Sequence, residues 1–204
     1  MTGPTGDAHH RGRCRRWNHL SEGDVVEARR LVTATGRTLG LGDEELGWAE
    51  LMASELVTNA LVHALGIGVE VEVWHCPLGC VVTEVRDGVA ARPILPAHRG
   101  ADLDAESGRG LAMVTGFSDG LCGAAPSHVP GTRKTVWFAL PLADGAGPVS
   151  VRVLSSLIQI RNTRQHGPSS HTAASNTRVP VLDLRAGRVP DDRGAVTRAQ
   201  RATA

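Results

Sequence analysis

SELVTNALVHA, residues 54–64, decides how the rest of the chain is read. At 100° per residue Glu55, Asn59 and His63 fall four apart in one row of a helix, and Ala49, Ala53, Leu56 and Ala60 form the apolar stripe beside it. The polar row therefore borders the buried face instead of opposing it. An acid and an amide one turn apart at such a margin can hold a hydrated Mg²⁺ or orient a hydroxyl near a phosphate. A lone Glu-x-x-x-Asn is far more often a solvated helix edge, so the flanking sequence has to choose.

Upstream, this helix is expected to begin at Asp43, and Gly66 stops it. An earlier helix is expected from Ser21, where Asp24 three residues on completes a start pattern. Its stripe of Val25, Ala28, Leu31 and Val32 runs out between Gly36 and Gly42. Downstream the period changes to two. Val69, Val71 and Val73 alternate with Glu70, Glu72 and Trp74, HCPLGC turns, and residues 81–86 return, which predicts a hairpin with a half-buried first strand. The returning strand closes on Asp87-Gly88, a turn signal that also sets an acceptor beside a backbone with no Cβ. Residues 88–107, rich in Gly, Pro, Ala and charge, predict a loop. Glu106-Ser-Gly108-Arg109-Gly110-Leu111 opens a third helix whose first N–H groups make a natural phosphate cradle. GTRKTVWFALPL, residues 131–142, predicts a last strand with Val136, Phe138 and Leu140 on one face.

Each patch is weak alone; their order is not. The chain resembles the histidine-kinase-like (GHKL, Bergerat-fold) ATPases, above all the anti-sigma-factor serine/threonine kinases of bacteria. SELVTNALVHA resembles their N box, VRDGV their adenine box, SGRGLAMV the glycine box at the end of their lid, and GTRKTVWFAL their closing strand. The resemblance covers about half of the chain and implies an α/β two-layer sandwich, with helices on one face of a mixed, mostly antiparallel sheet. It implies Mg²⁺ and ATP as cofactors, bound between helix and lid. Glu55 would be the general base that takes the proton of an attacking hydroxyl, and Asn59 the Mg²⁺ ligand. His63 would line the phosphate end, Asp87 would accept from the adenine amino group, and Gly88 would give clearance. Gly108 and Gly110 would present amides to the phosphates, Arg109 would add charge, and Thr135 would support the adenine pocket beside Asp87. Lys134 reads equally as a solvated strand residue. The implied substrate is a serine on a small anti-anti-sigma (STAS-type) protein, the second partner a sigma factor, and a homodimer is expected. Two departures stand out: Asp87-Gly88-Val-Ala-Ala carries one glycine where the fuller box has two, and Glu106 replaces a lid arginine. They keep open a second reading, a nucleotide-dependent module that sequesters a partner without phosphorylating it.

Charge divides the chain. Residues 21–144 carry a net −8, between ends of +3 (1–20) and +6 (145–204). The expected layout is a flexible basic segment over 1–20, the ATP-binding domain over 21–143, and a basic, disordered tail over 144–204. Short apolar pieces at 151–160 and 179–184 read as transient strands or partner-binding segments. Aromatic residues make up only 3%, so the core must be built from Ala, Val and Leu. No run of about 18 apolar residues suggests a membrane span. The four cysteines lack a disulfide-framework spacing, which fits a reduced, cytoplasmic protein. Cys76 and Cys80 supply one pair of zinc ligands and no second pair. The arginine-rich ends lack interleaved aromatics, so nucleic acid is not an expected partner.

Overall fold

The computed structural model describes residues 12–64, 68–90, 109–145 and 147–166. Its elements are β1 (Gly12–Trp17), α1 (Glu22–Leu39), α2 (Asp43–His63), β2 (Val69–Cys76), β3 (Cys80–Asp87), α3 (Arg109–Phe117), β4 (Cys122–Pro126), β5 (Lys134–Pro141) and α4 (Val151–His166). Local chemistry explains most boundaries. The Ser21 N–H and hydroxyl both donate to Asp24 Oδ2, at 2.8 and 2.6 Å, and tie down the start of α1. Gly40, at φ 102°, ends it in a left-handed turn, with Leu41 N–H returning to Gly36 O. α2 opens on Asp43, Glu44 and Glu45, which complement the positive end of its dipole. Cys76 O accepts from Gly79 N–H across the β2–β3 turn, and Gly79 takes the positive φ that the turn needs.

The strands form one sheet of order β1-β2-β3-β5-β4, and every described pairing is antiparallel. α1, α2 and α3 cover one face, over a core of small aliphatics that includes Val32, Ala49, Ala53, Val57, Val71, Val85 and Val136. Trp48 of α2 stacks on Phe117 of α3, with ring centroids 6.0 Å apart. The two-layer α/β sandwich expected from the sequence is thus in place.

Three segments depart from the expected layout. Residues 12–17, expected to be flexible, form edge strand β1, in register with β2 from Gly12↔Trp74 to Trp17↔Val69. β4 was not expected at all. Residues 151–166, expected to be disordered or transiently extended, form helix α4, which packs on the sheet face opposite α1–α3. Leu154 and Ile158 are fully buried there against Cys76, Cys80, Val82, Trp137 and Ala139. Burying two such side chains contributes about 1.5–3 kcal/mol each. Because of α4, β2 and β3 are buried on both faces, where alternation in β2 predicted one wet face.

Beneath α4 lies a closed charge network. Arg86, with no exposed surface, donates to Glu70 and Glu72 at 2.8 Å, to Asn162 Oδ1 at 3.0 Å, and pairs with Glu84 at 2.9 Å. Asn162 donates back to Glu84 at 2.8 Å, as does Trp74 Nε1–H. Arg161 pairs with Glu72 and lies 4.4 Å from the Trp74 ring centroid. Burial alone would raise the Glu72 pKa, but Arg161 and Arg86 outweigh it and hold the carboxyl down at about 2. Residues 1–11, 91–108 and 167–204 lie outside the described residues, and with them most of the expected loop and the 179–184 segment. No helix of the described residues is long and apolar enough to cross a membrane.

Candidate functional site

The polar row of α2 meets the start of α3. A Cβ built at Gly110 would collide with Glu55 Oε2, so the carboxylate lies against the backbone of the first turn of α3. The two helices run antiparallel, since Glu55 neighbours Gly110 while Trp48, two turns earlier, stacks on Phe117. The beginning of α3, with its unpaired N–H groups, is thereby held beside the acid. Glu55 and Asn59 are half-buried and His63, the last residue of α2, is exposed. This gradient follows from the row's position at the margin of the apolar stripe.

Asp87 ends β3 and is 3% exposed. By strand alternation it shares a face with Val85, whose side chain is in the core beneath α1–α3. Glu55 and Asp87 therefore both belong to the layer between helices and sheet. Asp87 Oδ1 accepts from Val89 N–H at 2.8 Å, and Oδ2 lies 3.3 Å from Lys134 Nζ. Its carbonyl accepts from Arg133 N–H at 2.6 Å. The β4–β5 turn behind it is pinned by buried hydroxyls: Ser127 and Thr132 are 2.6 Å apart, and Thr132 donates to Val129 O. Gly88 follows Asp87, buried.

Thr135 does not join this site. The register sets Lys134 opposite Asp87 and Thr135 opposite Arg86, so its hydroxyl emerges on the α4 face and donates to Glu84 at 3.3 Å. Lys134, the sole lysine of the chain, takes the position beside Asp87 instead of facing solvent. Counting the antiparallel register back from the closing strand would have revealed this. Gly108 lies outside the described residues, as does the side chain of Arg109.

The donors present suit a nucleotide with a hard cation. Asn59 and Glu55 offer oxygen ligands, and the Glu55 carboxylate fills the place that a Cβ would take at Gly110. Among the described residues no three His, Cys, Asp or Glu side chains converge as a metal cage. A separate cleft of about 370 Å³ lies on the other face, between α4 and the β4–β5 edge, away from these residues.

A family model described as a histidine kinase-like ATPase domain matches residues 19–138, which takes in α1 to β5 up to Phe138 and leaves out β1 and α4. No curated protein matches the chain.

Proposed function

Because the chain belongs to the histidine kinase-like ATPase domain family, we propose that it is an ATP-dependent serine/threonine protein kinase of the anti-sigma-factor type. Its substrate would be a small anti-anti-sigma (STAS-type) protein, and the outcome of phosphorylation the control of a sigma factor. The observation that carries this reading is the Glu55 carboxylate set against Gly110, at the opening of α3 and one turn from Asn59. Asp87 accepts a hydrogen bond from the adenine amino group. The backbone N–H groups that begin α3 point at the phosphates, and Asn59 holds Mg²⁺ through its amide oxygen. Mg²⁺ held there would supply charge neutralisation on the phosphates. Glu55 receives the proton of the serine hydroxyl as that oxygen attacks the terminal phosphorus, the bond to the β–γ bridging oxygen breaks, and ADP leaves. Positioning and charge neutralisation do most of the work in such a transfer, so one carboxylate beside an anion-binding helix start is sufficient equipment.

The Asp87–Lys134 pair favours a second reading, because it engages one oxygen of the adenine acceptor. In that reading the domain binds nucleotide and sequesters its partner without phosphorylating it. One experiment separates the two. The protein is incubated with labelled ATP, Mg²⁺ and candidate anti-anti-sigma proteins, alongside Glu55→Ala and Asp87→Asn. Under the kinase reading, Glu55→Ala lowers label transfer by about 10²–10⁴-fold while ATP still binds. Asp87→Asn weakens ATP binding by roughly ten- to a hundredfold. ATP binding without transfer to any partner would instead establish the sequestering module.

A further inference from the structure

The β2–β3 hairpin ends on two thiols that neither the nucleotide site nor the charge network uses. Cys76 and Cys80 are both free and both buried, and the strand register sets them directly opposite each other. Directly opposed residues of an antiparallel pair have Cα atoms about 4.5–5.5 Å apart. That range falls inside the about 4.4–6.8 Å that a disulfide spans. Strand alternation points both side chains to the α4 face, where they pack with Leu78, Val149, Leu154 and Ile158. With no third metal ligand among the described residues, two thiols alone make a poor zinc site. Facing each other in an apolar pocket, they make a good redox couple.

We propose that Cys76 and Cys80 form a reversible dithiol–disulfide site oxidised by a hydroperoxide. The Cys76 thiolate attacks the peroxide oxygen, which breaks the O–O bond; with hydrogen peroxide this leaves a Cys76 sulfenic acid and, after protonation, one water. The Cys80 sulfur then attacks the Cys76 sulfur, forming the S–S bond. The hydroxyl leaves with the Cys80 proton as a second water. Two thiols have been oxidised by two electrons and one peroxide reduced.

The division of labour between the two sulfurs follows from their surroundings. The Cys80 thiol and then the Leu78 N–H stabilise the Cys76 thiolate and lower its pKa, against the opposing effect of burial. Cys80 is pushed the other way, by Cys76 first and then by burial, so it keeps its proton until it resolves the sulfenic acid. Cys14 is exposed, yet desolvation of its sulfur and the charges of Glu70 and Glu72 push its thiol up to about 12. The buried pair should therefore react before the exposed cysteine, the reverse of what accessibility alone would give. Burial limits the oxidant to something near the size of water, which reaches the pair by fraying of the hairpin end. Only three residues separate the cysteines, so the bond closes a small ring and adds little to stability. It acts as a response to oxidant, placed directly beneath the first turns of α4.

The test uses the full chain and does not depend on the kinase reading. The protein is treated with hydrogen peroxide, quenched with catalase, denatured and alkylated, and its thiols are counted by mass. The expected result is a fall from four alkylated cysteines to two, a peptide carrying Cys76 and Cys80 that is two hydrogens lighter, and full recovery with dithiothreitol. In Cys80→Ala, Cys76 loses the hydrogen bond that favours its thiolate and should oxidise more slowly, but the sulfenic acid that forms has no resolving thiol and should be trapped by dimedone. Should that variant fail to fold, the peptide map of the unaltered chain decides alone. Retention of four reactive thiols, or oxidation of Cys14 while Cys76 and Cys80 stay alkylatable, overturns the proposal.

Discussion

Gly110 has no room for a side chain because the Glu55 carboxylate already occupies the place of its Cβ. The blocking atom is the end of a flexible side chain, so a methyl group there would displace the acid and leave the helices where they are. Gly110→Ala should leave the urea midpoint unchanged or raise it, since Ala is favoured over Gly in a helix by about 1 kcal/mol. Under the proposed kinase reading, phosphoryl transfer should nevertheless fall at least about tenfold, as Glu55 moves out of line. A parallel loss of stability and activity would mean that Gly110 serves packing alone. Arg86 illustrates the opposite case, a residue with one job and no slack. Arg86→Met removes the cation from three carboxylates and should destabilise the fold by about 3–5 kcal/mol in urea unfolding. At this scale the helix row Glu55, Asn59 and His63 was legible because a 3.6-residue period is local information. The role expected of Thr135 overlooked a signal of the same kind, since strand alternation puts Thr135 on the face opposite Val136, Phe138 and Leu140, and the register sets Lys134 opposite Asp87.

Among the elements, α4 is the one whose sequence conceals its role. Its buried row is Leu154, Ile158 and Asn162, and one of those three is an amide. Leu154, Leu157 and Ile158 keep helical spacing, but an apolar stripe of little more than one turn is too short to announce a packed helix. Asn162 makes sense only beside Arg86 and Glu84, which lie 76 and 78 residues earlier in the chain. β1 hid for a related reason: five of its six residues are exposed, three are arginines, and edge pairing leaves no hydrophobic signature. β4, with Gly123, Ala124 and Ala125 at its centre, lacks the bulky alternation that marks a strand. α1, α2, the hairpin and β5, whose periodicity is local, were legible as elements, but the burial of the hairpin strands on both faces was not. Leu154→Ala tests whether α4 is part of the cooperative fold. The expected cost is about 2–5 kcal/mol in a single unfolding transition. A separate early transition confined to α4 would show that the helix detaches independently.

At the scale of the molecule, the uneven charge noted in the sequence acquires a partial structural reason. Arginine from the basic C-terminal region, Arg161, is laid onto the acidic far face of the sheet, where Glu70, Glu72 and Glu84 outnumber Arg86. This has a pH signature. The Glu72 carboxyl, ordinarily at 4.5, is held at about 2 in the folded chain, so its contribution is complete above the unfolded value and is lost as pH falls toward 2. The urea midpoint gap between the unaltered chain and Glu72→Gln should therefore be widest near neutrality and shrink across that window. A gap that stays constant with pH would show that the charge of Glu72 contributes nothing.

β3 is buried at all eight of its positions, with Val81, Val85 and Asp87 toward one layer and Val82, Glu84 and Arg86 toward the other. Such a strand cannot be threaded wrongly at low cost. A slip of one residue would exchange the two faces, driving a carboxylate and a guanidinium among valines and leaving Glu70 and Glu72 facing hydrocarbon. A slip of two would preserve the faces but strip Asp87 of Lys134 and Arg86 of its cage. The charged layer thus works as a proofreading device for assembly, rejecting misaligned sheets that an all-aliphatic far face would accept.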